Sequence, residues 1–170
     1  PQLDGCFGDI VVMPRSEAEV IKTLKLCQAR DVPVTVRGGG TGNYGQAVPL
    51  RGGVILETRN LEAIEWMRPG RVRTAPGIRI EVLEKACREG VGGELRMFPS
   101  TIRHATIGGY IAGGSSGIGS VTWGLLRDWG NLVAARVVTM EAEPRVIELR
   151  GHDVQKVNHA YGTNGVITAL

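Results

Sequence analysis

Several patterns that would assign a function quickly are missing from this sequence. Its three cysteines, Cys6, Cys27 and Cys87, form no Cys-x-x-Cys pair, and their odd number argues against a disulfide framework. Cys27 and Cys87 fall within predicted helices and read as small buried hydrophobes. His104, His152 and His159 show no metal-ligand spacing such as His-Glu-x-x-His, so no metal site is expected. No nucleophile stands near a base in a recognisable pattern, and no catalytic residue is assigned. The net charge is only +3 and no lysine–arginine block occurs, which speaks against nucleic-acid binding. Arg68, Arg71 and Arg73 alternate around an Arg-Pro-Gly turn and read as one solvated strand face. This cysteine usage points to a reducing, cytoplasmic setting; neither a secretory signal nor an apolar run of membrane length is found. Aromatic residues make up just 5% of the chain.

Glycine is what the chain has in excess. It supplies 25 of 170 residues, roughly twice its usual share. The glycines are neither periodic nor joined by abundant proline, so collagen-like and low-complexity readings fail. They gather at 38–45, 52–53, 92–93, 108–119 and 162–165, as expected of loops that approach something closely. A hydrophobic fraction of 42% suffices for a real core in one domain, or one domain of two lobes. The chain starts at Pro1 and stops within a strand-like run at 166–170, so the natural protein is expected to continue.

Local patterns predict the elements. Residues 10–13 read as a strand ending at Pro14. Ser16 and Glu19 form a capping box for a helix carrying Val20, Leu24 and Cys27 on one face, ending near Arg30–Asp31. Residues 32–37 and 54–57 read as strands, which makes a small α/β lobe with a parallel crossover. Residues 64–67 and 72–75 form a hairpin across Arg68-Pro69-Gly70. Residues 80–89 form a helix stopped by Gly90. Residues 92–131 are too broken for long elements. Strands follow at 132–140 and 145–149, then a short helix from Asp153 to Tyr161 and a last strand.

Three loops invite a ligand. Gly40-Thr41-Gly42-Asn43-Tyr44-Gly45 matches G-x-G-x-x-G behind a strand, the dinucleotide fingerprint. That motif needs a helix opening at its third glycine to hold the pyrophosphate. Here Gln46-Ala47-Val48-Pro49-Leu50-Arg51-Gly52-Gly53 follows, and an interior proline with two glycines would cost such a helix about 5 kcal/mol. What survives is a loop that holds a diphosphate through backbone N–H groups. The second loop, residues 99–119, offers hydroxyls and glycine pairs that would let backbone lie against a flat ring; a tight helix–sheet crossing explains the same residues. The third, residues 161–167, alone reads as a helix-to-strand turn.

Taken in order, these segments resemble the FAD-binding domain of the vanillyl-alcohol oxidase/para-cresol methylhydroxylase (PCMH-type) superfamily, in its glycolate oxidase and D-lactate dehydrogenase branch. The resemblance rests on Val12-Met13-Pro14-Arg15-Ser16, Arg37-Gly38-Gly39-Gly40-Thr41-Gly42, Ala75-Pro76-Gly77, Pro99-Ser100 with Ala105-Thr106-Ile107-Gly108-Gly109, and residues 162–168. It implies an α+β fold, with a small βαβ lobe over about 1–58 and a larger, mostly antiparallel lobe with helices over about 59–170. It implies that Gly38, Gly39, Gly40, Thr41, Gly42 and Asn43 wrap the FAD pyrophosphate, and that Pro76 and Gly77 turn near the cofactor. By the same resemblance Pro99, Ser100, Thr106, Gly108 and Gly109 run beside pyrophosphate, ribityl chain and flavin ring, while Gly165 and Ile167 lie beside the adenosine. Some members attach flavin to a histidine in the first loop; Thr41 stands in that region here, which implies noncovalent FAD. Gly114-Ser115-Ser116-Gly117 replaces the Asn-Ala-Gly-Gly of many relatives, and Gly162-Thr163-Asn164-Gly165 stands where Ser-Glu-Gly is common.

The resemblance further implies an oxidoreductase acting on a 2-hydroxy acid such as glycolate or D-lactate. Its base and carboxylate-binding groups belong to a C-terminal substrate domain absent from this chain. The 170 residues alone are expected to bind FAD weakly or not at all and to turn over no hydroxy acid. A non-catalytic FAD-domain subunit of an oxidase complex and a nicotinamide-binding Rossmann protein stand as alternatives. His104 is placed in the second loop with the flavin as one possible neighbour. Glu57 reads as a solvated strand end and Arg37 as a phosphate neutraliser or half of an ion pair. Trp123 and Trp129 read as packing beneath a loop.

Overall fold

The computed structural model describes residues 3–170; the start at Pro1 noted above lies outside them. The chain opens with β1 (Ile10–Val12), α1 (Glu17–Gln28), β2 (Val34–Arg37) and β3 (Val54–Glu57). The three strands pair in parallel in the order β1-β3-β2, so the last to be made becomes the centre. Its sequence shows why: Val54-Ile55-Leu56-Glu57 is buried throughout, as a strand covered on both faces must be. Asp9 fixes the entry by accepting a hydrogen bond from the Gly53 amide at 2.6 Å.

Helix α1 begins as its sequence predicts. Ser16 caps it, its hydroxyl accepting from the Glu19 amide at 3.3 Å, while Glu19 accepts from Arg15 N at 2.7 Å. The helix ends at Gln28, short of the expected Arg30–Asp31, because Asp31 takes a left-handed φ of 53°.

The rest of the chain is antiparallel sheet with helices. Strands β4 (Ile64–Arg68) and β5 (Arg71–Thr74) form the predicted hairpin, with Gly70 at φ 78° in the turn. Helices α2 (Ile80–Val91), α3 (Ile107–Gly113) and α4 (Ser120–Trp123) lead to β6 (Ala134–Val138), β7 (Val146–Arg150) and β8 (Val166–Ala169). These last strands pair in the order β7-β6-β8. Thr74 and Leu170 exchange both backbone hydrogen bonds at 2.9 Å, which joins the hairpin to β8.

Three local expectations are corrected. Helix α2 runs through Gly90 and stops at Gly92, whose φ of 64° supplies the left-handed cap. Gly90 instead makes room: a Cβ there would sit 2.8 Å from Met67 Cε of the hairpin. The helix expected from Asp153 to Tyr161 is a short 3-10 segment, Gly151–Lys156, in which Asp153 pairs with Lys156 at 2.8 Å. Arg73 is not part of a solvated face. Its side chain is only 16% exposed and bridges Glu65 and Glu148 at 2.7 Å each. The Arg73 hydrogen bond is the main reason the Glu148 carboxyl sits below its ordinary pKa, helped by the charges of Arg136 and Arg150.

The two lobes share hydrophobic packing. Val20 and Leu24 of α1 and Leu56 of β3 lie in one cluster with Val138 of β6 and Val166 of β8. Truncating a fully buried leucine such as Leu24 would cost about 2–5 kcal/mol. A second cluster, with Ile80, Tyr110, Ile111, Val137 and Ile167, packs α2 and α3 onto the antiparallel sheet. Between these clusters the ends of β2 and α3 come together.

Candidate functional site

Where β2 ends, the chain turns into the glycine loop along one wall of a cleft of about 360 Å³. The second wall is the stretch from Pro99 into α3, and the third is the segment from Val157 to Ile167. The structure brings together Gly38, Gly39, Gly40, Thr41, Gly42, Asn43, Pro76, Pro99, Ser100, Thr106, Gly108, Gly109, Gly165 and Ile167 on this one surface. Gly77 does not line it. Its amide donates to the Leu61 carbonyl at 2.7 Å, and a Cβ there would be 1.9 Å from the Thr58 oxygen.

The first loop combines close packing with unused donors. A Cβ on Gly38 would meet Thr106 Oγ1 at 2.2 Å, and one on Gly39 would meet the His104 carbonyl at 2.1 Å. Only glycine lets this loop lie against the entry to α3. Gly40 is different: it has φ 66°, and a Cβ there would find nothing nearer than Arg37 Nε at 3.8 Å. Among the described residues, no backbone N–H from Gly38 to Asn43 has an acceptor within the protein. None of these residues is buried, so their amides are open to solvent or to a ligand, and a turn of successive N–H groups makes a concave anion cradle. The loop then closes on itself, the Tyr44 amide donating to Gln46 Oε1 at 3.0 Å. No helix opens at Gly45; a turn follows, with Val48 N on the Gly45 carbonyl at 2.9 Å. The Rossmann alternative required that helix.

Thr106 anchors the second wall. Buried, it caps α3 by accepting from Gly109 N at 3.3 Å, which leaves its hydroxyl proton available as a donor. Gly108 lies on Pro76, where a Cβ would meet the proline Cβ at 2.4 Å. The tight crossing and the ligand surface thus occupy the same residues. Tyr110 closes the floor and donates its hydroxyl to the Ser116 carbonyl; burial pushes its phenol far above the usual range, so it stays a neutral donor.

No charged side chain lines the cleft among the described residues. Its polar groups are backbone amides, hydroxyls such as those of Ser100 and Ser115, and the amide side chains of Asn43 and Asn164. Arg37 backs the loop from outside: its Nε is buried and has no hydrogen-bond partner among the described residues. Of its two readings, phosphate neutraliser or half of an ion pair, the second is not met: no carboxylate among the described residues pairs with it. Glu57, expected to be solvated, is buried and paired with Arg59. His104 is exposed and contributes its backbone, not its ring. Trp123 and Trp129 do not pack beneath a loop. Both are exposed, Trp123 under the Arg96 guanidinium at 4.8 Å. No group of three or more metal-binding side chains occurs among the described residues, and no helix there is long and apolar enough to cross a membrane.

Sequence reasoning missed Thr58 and Gln46 of the lining, and passed over Tyr110 and Ser115 within the second loop and Tyr161 and Asn164 within the third, both of which it had marked. Thr58 carries no local signal; it belongs because its hydroxyl reaches the Arg37 carbonyl at 3.3 Å across two strands.

Residues 8–148 match the family described as the FAD binding domain, and the chain belongs to that family. It is 30% identical over 151 residues to D-lactate dehydrogenase of Archaeoglobus fulgidus, which covers 86% of this chain and 32% of that protein. It is 32% identical over 139 residues to glycolate oxidase subunit GlcD of Escherichia coli, covering 79% of this chain and 27% of that protein. Among solved structures, an alkyldihydroxyacetonephosphate synthase superposes with a TM-score of 0.82 at 27% identity, over 94% of this chain and 30% of that one. The chain thus spans about a third of the length of the curated relatives it matches. The fold is the α+β, PCMH-type FAD-binding domain that the ordered motifs implied.

Proposed function

We propose that the cleft holds FAD noncovalently and that the whole protein is a cytoplasmic FAD-dependent oxidoreductase of 2-hydroxy acids. The observation that carries this reading is the run of acceptor-free amides from Gly38 to Asn43, facing a cleft that is otherwise neutral. Such a wall suits a diphosphate, which needs donors, and Arg37 behind it adds a half-buried positive charge. The hydroxyl groups of Ser100 and Thr106 stand where they can donate to the phosphate or ribityl oxygens. Pro76, Pro99, Gly108 and Gly109 give a smooth surface for a planar ring, and Gly165 with Ile167 closes the far wall. Gly77 supports the site from beneath by holding Pro76 in place. Thr41 has no side-chain nitrogen to attach to flavin, in keeping with a noncovalent site.

When bound, FAD supplies a two-electron acceptor for hydride. The cleft offers no carboxylate, histidine or lysine to take the hydroxyl proton of a substrate. We assign that base, and the groups that bind the substrate carboxylate, to a substrate domain or partner subunit outside this chain. The names of the relatives, D-lactate dehydrogenase and glycolate oxidase, supply the substrate class.

The test is direct. The protein, expressed from its complete gene and desalted, should stay yellow, and denaturation should release the flavin into solution. With an artificial electron acceptor it should oxidise D-lactate or glycolate. Colourless protein would sink the FAD reading, and flavin that stays on the denatured chain would sink its noncovalent form.

A further inference from the structure

The third wall of the cleft contains two backbone outliers that the FAD reading does not use. His159 and Tyr161 both lie in the left-handed region, at φ 61° and 53°. A bulky side chain is seldom found there, and such strain persists where surrounding structure enforces it. Here it is enforced by α3. The His159 amide donates to the Ile111 carbonyl at 3.1 Å and the Tyr161 amide to the Ala112 carbonyl at 2.9 Å. Gly114 gives the histidine its room, since a Cβ there would come within 2.3 Å of His159 Cβ.

The backbone bonds alone would be served by glycine at position 161. What tyrosine adds is an aromatic side chain on a residue that lines the cleft and is 38% exposed. Its hydroxyl lies 2.9 Å from His159 Nε2, and the two rings meet edge to face with centroids 5.1 Å apart. The histidine thus restrains the orientation of a tyrosine ring that belongs to the cleft lining.

We propose that Tyr161 is a ring-stacking residue of the cleft, held in orientation by His159, for one of the two planar heterocycles of the dinucleotide. The inference rests on the reading of the cleft as an FAD site. Its chemistry is aromatic stacking, which either an isoalloxazine or an adenine satisfies.

The experiment uses the protein expressed from its complete gene, stripped of flavin, with calorimetric titration by FAD, FMN and ADP. Tyr161→Gly should keep the thermal midpoint at or above that of the parent, because glycine accepts the positive φ. The same variant should bind FAD about tenfold more weakly, the loss typical of removing an aromatic platform. Tyr161→Phe retains the ring and should stay close to the parent in affinity, whereas Tyr161→Leu should follow the glycine variant. Parallel weakening of FMN identifies the flavin ring as the stacked partner; weakening of ADP with FMN unchanged identifies adenine. Unchanged FAD affinity in Tyr161→Gly and Tyr161→Leu would overturn the proposal. Failure of the unmodified protein to bind FAD would instead overturn the reading beneath it, and the control titration reads that separately.

Discussion

Gly77 and Gly113 stand near the same cleft and look alike in sequence, yet they serve opposite masters. Gly77 faces the protein: a Cβ would strike the carbonyl oxygens of Thr58 and Leu61 at 1.9 and 2.7 Å. Gly113 faces the cleft, and a Cβ there would meet nothing within 4 Å. Gly38, Gly39 and Gly108 side with Gly77, while Gly40 sides with Gly113. Glycine density around this site therefore records two requirements, close approach of chain to chain and an open surface for a ligand. The second is met by few of the glycines.

Substitution separates the two groups. The largest expected effect is Gly77→Ala, where backbone oxygens cannot yield cheaply: a loss of about 3 kcal/mol or more, read by thermal or denaturant unfolding. A variant as stable as the parent would break the distinction. Next comes Gly113→Ala, which should leave stability unchanged or raise it by up to about 1 kcal/mol, since alanine is the better helix former. Its added methyl group stands in the ligand space, so FAD affinity should fall about tenfold, equivalent to about 1.4 kcal/mol. Unchanged affinity would mean that the ligand does not touch this wall. The smallest effect concerns salt. Because the wall is made of neutral amides and hydroxyls, raising ionic strength tenfold should shift the FAD dissociation constant by less than about threefold. A steeper dependence would show that exposed cations outside the cleft carry the binding.

How far the sequence discloses this structure depends on the range of the forces involved. The capping by Ser16, the buried run of β3 and the Pro69-Gly70 hairpin are local, and each appears where pattern and propensity place it. The glycine loop was legible too, because Pro49 and Gly52–Gly53 forbid the helix that a Rossmann site needs. Errors came where distant partners decide. Arg73 looks like a surface charge until Glu148, far along the chain, is brought beside it. Gly90 looks like a helix stop until Met67 is laid across it. Glu57 gave no sign of burial because the strands on either side of it are assembled by topology. Of the site, the first two loops were readable as motifs. Tyr161 was not, since its meaning lies in a backbone angle that only the packed α3 imposes.

The three walls of the cleft also set an order of events during synthesis. Its lining begins at Val36 and is completed only at Ile167. A growing chain that has made only its glycine loop has no pocket yet, merely a bare string of amides. All three walls therefore exist together only once β8 has paired with β6, so a strand made about 110 residues after the start of β3 decides when the cleft is complete.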